Sequence, residues 1–244
     1  MINSVRNTVL AIINKNNYGY ISPSDFNLFA KQAQLDLFDE YFFNYNEQVN
    51  EENARLSGTG YANIKLGYEE VIDYFSVTEF LTQKTLGTSV YYLPSTTTTG
   101  SDYYLLNKVL CYSGGNLLGE AEKVTHSKIT QLNSSLLTAP NTTFPAYTQA
   151  GDSITVFPTT INSGSDVQAQ YIRYPKDPKW TYVTLYNGEP LFDQTASDYQ
   201  DFELPIDDTN DLVAKILQYA GISIREKDVF EFGKIDEQQQ DNQK

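Results

Sequence analysis

Residues 21–35 read ISPSDFNLFAKQAQL and carry the strongest local structural signal in this sequence. Ser22 belongs to the residue types that cap helix N-termini, and Pro23 suits the first helical turn that follows. Ile21 before the cap and Phe26 after it have the spacing of a hydrophobic staple. The stretch therefore predicts a helix that begins at Pro23.

The apolar side chains of this helix form one stripe, at steps of three and four residues. They are Phe26, Phe29, Ala30, Ala33, Leu37 and Tyr41. A shorter helix is predicted before it by the helical spacing of Val5, Val9, Ile12 and Ile13. A third helix is predicted over residues 68–81, so residues 1–82 are expected to form a helical part.

The middle of the chain, residues 83–199, is rich in β-branched residues, Tyr and turn-forming residues, which favour strands. A short helix is predicted over residues 127–136. A turn at residues 175–179 separates the last two predicted strands, which we expect to pair as a hairpin. The strands are predicted near residues 89–93, 103–112, 153–157, 167–174 and 180–186.

Helical periodicity returns in residues 200–232. A helix is predicted to begin at Asp207 or Asp208 and to end at Gly221, which would act as a C-terminal glycine cap. Residues 233–244 form a polar, Gln-rich tail that we expect to be disordered in isolation. The predicted fold class is α+β, with N-terminal and C-terminal helices packed together and a mostly antiparallel β region inserted between them. One domain or two closely packed subdomains would accommodate it.

The 244 residues include 31 acidic and 17 basic side chains, which give a formal net charge of −14. Such a chain repels phosphate, which argues against tight nucleic-acid binding through a broad basic face. Cys111 is the only cysteine and His126 the only histidine, so an internal disulfide and a zinc cage of His and Cys ligands are excluded. The longest purely apolar run, residues 9–13, is far too short for a bilayer span, so no membrane partner is expected.

Residues 14–25 align with the spacing of an EF-hand calcium loop, with Gly19 at the sharp turn. The ligand set does not fit calcium, because Asn14 and Asn16 are neutral and Asp25 is too short for the bidentate role of Glu. The helix-capping residues explain the segment without a metal. The sequence therefore predicts no metal, no cofactor and no catalytic residue.

Basic and aromatic side chains concentrate at one place in this acidic chain. They are Tyr171, Arg173, Tyr174, Lys176, Lys179 and Trp180. Arg, Tyr and Trp are the residue types that dominate binding hot spots. Two interpretations stay open: an aromatic-rich hairpin with a solvated tip, or a candidate subunit interface that meets an acidic surface on a partner or on another copy.

Several segments resemble virion structural proteins of tailed phages, especially the crAss-like and related podovirus-type phages. The first is GYISPSDFN at residues 19–27, followed by FAKQAQ at residues 29–34. The others are QYIRYPKDPKW at residues 170–180 and FELP at residues 202–205, which leads into an acidic helix. None of these segments is a motif with chemistry attached, and the resemblance implies no catalytic residue.

The resemblance implies a non-enzymatic subunit of a ring in the head-to-tail connector or tail, with about twelve copies around the DNA channel. Its expected partners are copies of itself, portal or other tail ring proteins, and genomic DNA that passes without tight binding. Its expected location is the virion, assembled in the host cytoplasm. The main alternative is a tail or head-fibre module that binds host glycan through the Tyr- and Thr-rich middle. A hydrolase with an Asp/Glu pair is a third hypothesis.

Overall fold

The computed structural model describes residues 1–14, 20–55 and 62–224. The chain divides into two compact units. The first unit consists of Met1–Val71 together with Pro175–Lys244, and the second consists of Ile72–Tyr174. The second unit is therefore an insertion in the sequence of the first.

Regular structure in the described residues combines helices with mostly antiparallel strands, which confirms the predicted α+β class. The helices are α1 (Ile2–Ile13), α2 (Pro23–Arg55), α3 (Ala62–Tyr74), α4 (His126–Asn133) and α5 (Thr209–Ile224). The strands are β1 (Ser76–Phe80), β2 (Val90–Tyr92), β3 (Tyr103–Ser113), β4 (Asn116–Glu120), β5 (Glu122–Lys123), β6 (Ala146–Ala150), β7 (Ser153–Phe157), β8 (Val167–Arg173), β9 (Tyr182–Thr184) and β10 (Pro190–Phe192).

Helix α2 begins at Pro23, as its sequence predicts. The hydroxyl of Ser22 accepts a hydrogen bond from the backbone N–H of Asp25 at 3.1 Å and donates one to the Asp25 carboxylate at 2.7 Å. Ile21 and Phe26 are both buried, which fits the predicted staple. Local capping chemistry therefore sets this end of the helix.

The N-terminal and C-terminal helices pack together in the first unit, where α5 contacts both α1 and α2. The carboxylate of Asp201 accepts a hydrogen bond from the backbone N–H of Ile2 at 2.7 Å, at the first turn of α1. The prediction that Gly221 ends the last helix is wrong, because α5 continues through it to Ile224. Gly221 is buried, and a glycine inside a helix costs only about 1 kcal/mol relative to Ala. The predicted tail lies outside the described residues.

The second unit contains two four-stranded sheets, with strand orders β1-β8-β3-β4 and β2-β7-β6-β5. All pairings in them are antiparallel except that of β5 with β6. Buried side chains from both sheets form one hydrophobic cluster. The sheets therefore share a core, and its largest fully buried members are Leu81, Tyr91, Ile154, Ile161 and Tyr171.

Two predictions about the strands are wrong. Residues 76–80 do not continue a helix, because α3 ends at Tyr74 and β1 pairs with β8, with Val77 opposite Tyr171. Val77 packs against the sheet core, so strand pairing and burial outweigh the helical spacing of the preceding residues. The predicted hairpin between residues 167–174 and 180–186 is also absent, since β8 pairs with β1 and β3 while β9 pairs with β10.

Candidate assembly surface

Three residues of the sequence-predicted interface belong to the second unit. Tyr171 is fully buried, and its hydroxyl donates a hydrogen bond to the carboxylate of Glu79 at 3.3 Å. Arg173 donates to the carbonyl oxygen of Tyr174 at 3.1 Å and lies 5.7 Å from the ring of Phe75. Tyr174 is exposed at the surface. Of these three, Tyr171 is a core residue, and Arg173 and Tyr174 reach solvent.

The other three residues belong to the first unit. Trp180 is only 2% exposed, and its indole N–H donates a hydrogen bond to the side-chain oxygen of Asn3 at 3.0 Å. Lys179 forms an exposed ion pair with Asp198 at 2.6 Å. Lys176 is exposed. Trp180 is therefore part of the interior, and the two lysines remain at the surface.

A short β-hairpin follows Trp180 directly and consists of β9, β10 and the turn between them; we call residues 182–192 the apolar hairpin. Its base is anchored by ring stacking, because Tyr182 and Phe192 lie 5.6 and 5.7 Å from the Trp180 ring. At the turn, the N–H of Gly188 donates to the carbonyl oxygen of Leu185 at 2.8 Å. Gly188 has φ of 82°, a left-handed conformation that suits glycine.

The apolar hairpin presents large hydrophobic side chains to solvent. They are Tyr182, Val183, Leu185, Tyr186 and Leu191. Glu189 is the only charged residue between positions 182 and 192. Exposed apolar side chains grouped within one short element are typical of interaction sites in soluble proteins.

The second unit has an apolar element of a different shape, which we call the leucine loop, residues 134–145. Leu136 and Leu137 are 100% and 96% exposed, and Phe144 is also exposed. The side-chain oxygen of Asn141 accepts hydrogen bonds from the backbone N–H groups of Thr143 and Phe144, both at 2.9 Å. The loop lies within residues 129–151, which contain no charged side chain.

The apolar hairpin was not predicted from the sequence, although the sequence contains a turn signal for it. Asn187 and Gly188 form the dipeptide that most strongly indicates a short hairpin turn between apolar segments. The exposure of the leucine loop has no comparable signal, because an apolar run such as Leu136-Leu137 is equally typical of a core. Its exposure is visible only in the folded unit.

The side chains that could act as nucleophiles, bases or metal ligands were located in the structure. Cys111 is buried in the sheet core, and burial, together with Asp166, raises the pKa of its thiol to about 12. The Nε2 atom of His126 lies 3.2 Å from the carbonyl oxygen of Gln149. Across residues 1–14, 20–55 and 62–224, no three His, Cys, Asp or Glu side chains are grouped so that they could hold a metal ion. Five residues of the calcium-like segment, 15–19, lie outside that part of the chain.

Comparison with known proteins gives no family for this chain: no family model matches it, and no curated protein matches its sequence. Among the helices of the described residues, none combines the length and apolar character that crossing a membrane requires. The features of this chain that bear on its function are therefore the two exposed apolar elements, the acidic charge and the sequence resemblance.

Proposed function

We propose that this protein is a non-enzymatic subunit of a ring in the head-to-tail connector or tail of a podovirus-like phage. The observation that carries the proposal is the apolar hairpin, an exposed and almost uncharged element of a chain with a net charge of −14. An element of this kind loses apolar exposed area when it docks on another protein surface, and that loss is favourable.

Charge limits how copies of this chain can meet. Two molecules that each carry −14 repel one another, so contact is least unfavourable through segments that carry almost no charge. Among the described residues, the apolar hairpin and the leucine loop meet this condition and also expose large hydrophobic side chains. Both elements therefore favour association between copies.

A closed ring needs a heterologous contact, in which one surface of each copy meets a different surface of the next. The apolar hairpin belongs to the first unit and the leucine loop to the second, so each copy offers two unlike apolar elements. An isologous dimer would need only one self-complementary surface. Two unlike elements suit a ring of about twelve copies better than a simple pair.

The acidic charge also suits a DNA channel. Phosphate is bound by Lys and Arg through counterion release, so a lumen lined with acidic or neutral groups lets DNA pass without tight binding. Residues 1–82 and 200–244 each carry a net −6, and the lumenal surface is proposed to come from these acidic parts of the chain. Portal or other tail ring proteins would stack above and below, and the ring would belong to the virion, assembled in the host cytoplasm.

Light scattering after size-exclusion chromatography, with negative-stain electron microscopy of the same fractions, tests the proposal. The expected result is a concentration-dependent species of about twelve copies that appears as rings. A monomer at all concentrations would contradict it. A compact trimer that binds glycan would contradict it in favour of the recognition-module alternative.

A further inference from the structure

Arg6 is a buried cation without an acidic partner among the described residues. It is 6% exposed, and its guanidinium lies 3.8 Å above the ring of Trp180. Its Nε atom is sealed from solvent and has no hydrogen-bond partner. The indole N–H of Trp180 is already used by Asn3, so the ring contributes only its π face to Arg6.

This arrangement leaves the charge of Arg6 incompletely compensated. A π face attracts a cation through its quadrupole, which is worth about 0.5–2 kcal/mol and supplies no net negative charge. Burial lowers the pKa of Arg6, with an opposing effect from Tyr20. A guanidinium has five N–H donors, and buried Arg is ordinarily paired with a carboxylate or phosphate. An excess of acids is present in this chain, yet no described acid pairs with Arg6.

We infer that Arg6, held over the ring of Trp180, is the recognition group of an oxyanion site that accepts a carboxylate or a phosphate group. The ring covers one face of the guanidinium, so a ligand would meet the N–H groups at its edge. A planar guanidinium binds both anions through paired N–H···O hydrogen bonds, which a lysine ammonium does not reproduce. The ligand is either a free inorganic anion or a carboxylate side chain supplied by a neighbouring protein.

Trp180 makes the site directly observable, because it is the only tryptophan in the chain. The test is a fluorescence titration of the full-length protein with phosphate, sulfate and acetate, at constant ionic strength maintained with sodium chloride. We expect a saturable change in Trp180 emission and a parallel rise in melting temperature. Because the signal arises at Trp180, it also locates the site beside Arg6.

Arg6→Met removes the donors and keeps an unbranched apolar side chain, and it is expected to weaken anion binding by about tenfold or more. Arg173→Met is the matched control, since Arg173 also lies over an aromatic ring but is only half-buried. That control should titrate as the unaltered protein does. If Arg6→Met does not fold by circular dichroism, Arg6→Lys keeps the charge and should still bind more weakly than the unaltered protein.

The three anions distinguish the sources of the ligand. Tighter binding of phosphate and sulfate than of acetate supports a free inorganic anion, and binding of acetate at least as tight supports a protein carboxylate. A linear response that sodium chloride reproduces would overturn the inference. A saturable response that persists unchanged in Arg6→Met or Arg6→Lys would also overturn it.

Discussion

The two units hold their strands and loops by different means. In the first unit, residues 175–204 contain only the short β9 and β10 strands and are held by side-chain amides of α2. Asn27 bonds both the N–H and the carbonyl of Trp180, at 2.8 and 3.2 Å. Gln34 donates to the carbonyl of Lys176 at 2.8 Å and accepts from the N–H of Glu203 at 3.0 Å.

In the second unit, backbone hydrogen bonds between paired strands such as β3 and β8 hold the chain in place. Its interior is a cluster of apolar and tyrosine side chains. The comparison shows where each unit is vulnerable. Single polar substitutions should be costly in the first unit, whereas the second should tolerate them and depend mainly on its apolar core.

The largest effect is expected for Trp180→Ala in the first unit. The substitution leaves a cavity, removes the partner of Arg6 and Asn3, and unstacks Tyr182 and Phe192. It should lower the free energy of unfolding by about 3–5 kcal/mol. Urea denaturation followed by circular dichroism measures it, with Leu86→Ala as the exposed control. A loss below about 1 kcal/mol would show that the Trp180 cluster does not hold this unit together.

A smaller loss of unfolding free energy is expected for Gln34→Ala. This substitution breaks both amide hydrogen bonds and leaves their backbone partners unpaired. Gln34 is buried, so the expected cost is about 2–3 kcal/mol. The matched control is Gln32→Ala, two residues earlier on an exposed face of α2, where the Gln32 side chain donates to the carboxylate of Asp36. Equal stability losses in the two variants would remove the basis for the comparison of the units.

A still smaller loss of unfolding free energy is expected when a polar group is removed from the second unit. Tyr171→Phe removes the hydroxyl that bonds Glu79 and keeps the buried ring. The expected cost is about 0.5–1 kcal/mol, well below that of Gln34→Ala. The same urea experiment measures it, and a loss as large as that of Gln34→Ala would contradict the view that apolar packing and ladders stabilise this unit.

The least effect is expected from a thiol reagent applied to the folded protein at neutral pH. Burial and the nearby charge of Asp166 raise the pKa of Cys111 to about 12, so the thiol stays protonated at neutral pH, and its burial keeps the reagent away. We expect no reaction in buffer and one equivalent of reaction in denaturant. Rapid modification of the folded protein would mean that the sheet core opens readily.

Local signals in the sequence correctly predicted much of the fold. The Ser22 cap, the stripe of α2 and the strand at residues 153–157 depend on neighbours in sequence, and the structure confirms them. Strand pairing was predicted less well. Strands β1 and β8 pair although they are far apart in sequence, and no local pattern indicates which distant strand a segment will join. The amide contacts of Asn27 with Trp180 span 153 positions and have no local signature.

The candidate surface was harder to predict, because hot-spot residue types are also core residue types. Tyr171 and Trp180 are of the residue types that dominate binding hot spots, and both are interior side chains. The turn dipeptide Asn187-Gly188 indicates the apolar hairpin, whereas nothing in the sequence separates an exposed Leu136 from a buried one.

Association through the apolar hairpin is tested by comparing the masses of two variants by light scattering at matched concentrations. One carries Leu185→Gln with Tyr186→Gln at the tip of the apolar hairpin, and the other carries Leu86→Gln, an isolated leucine that is 91% exposed. We expect the hairpin variant to stay monomeric and folded, and the Leu86 variant to assemble like the unaltered protein. Normal assembly of the hairpin variant would show that copies do not meet through this hairpin.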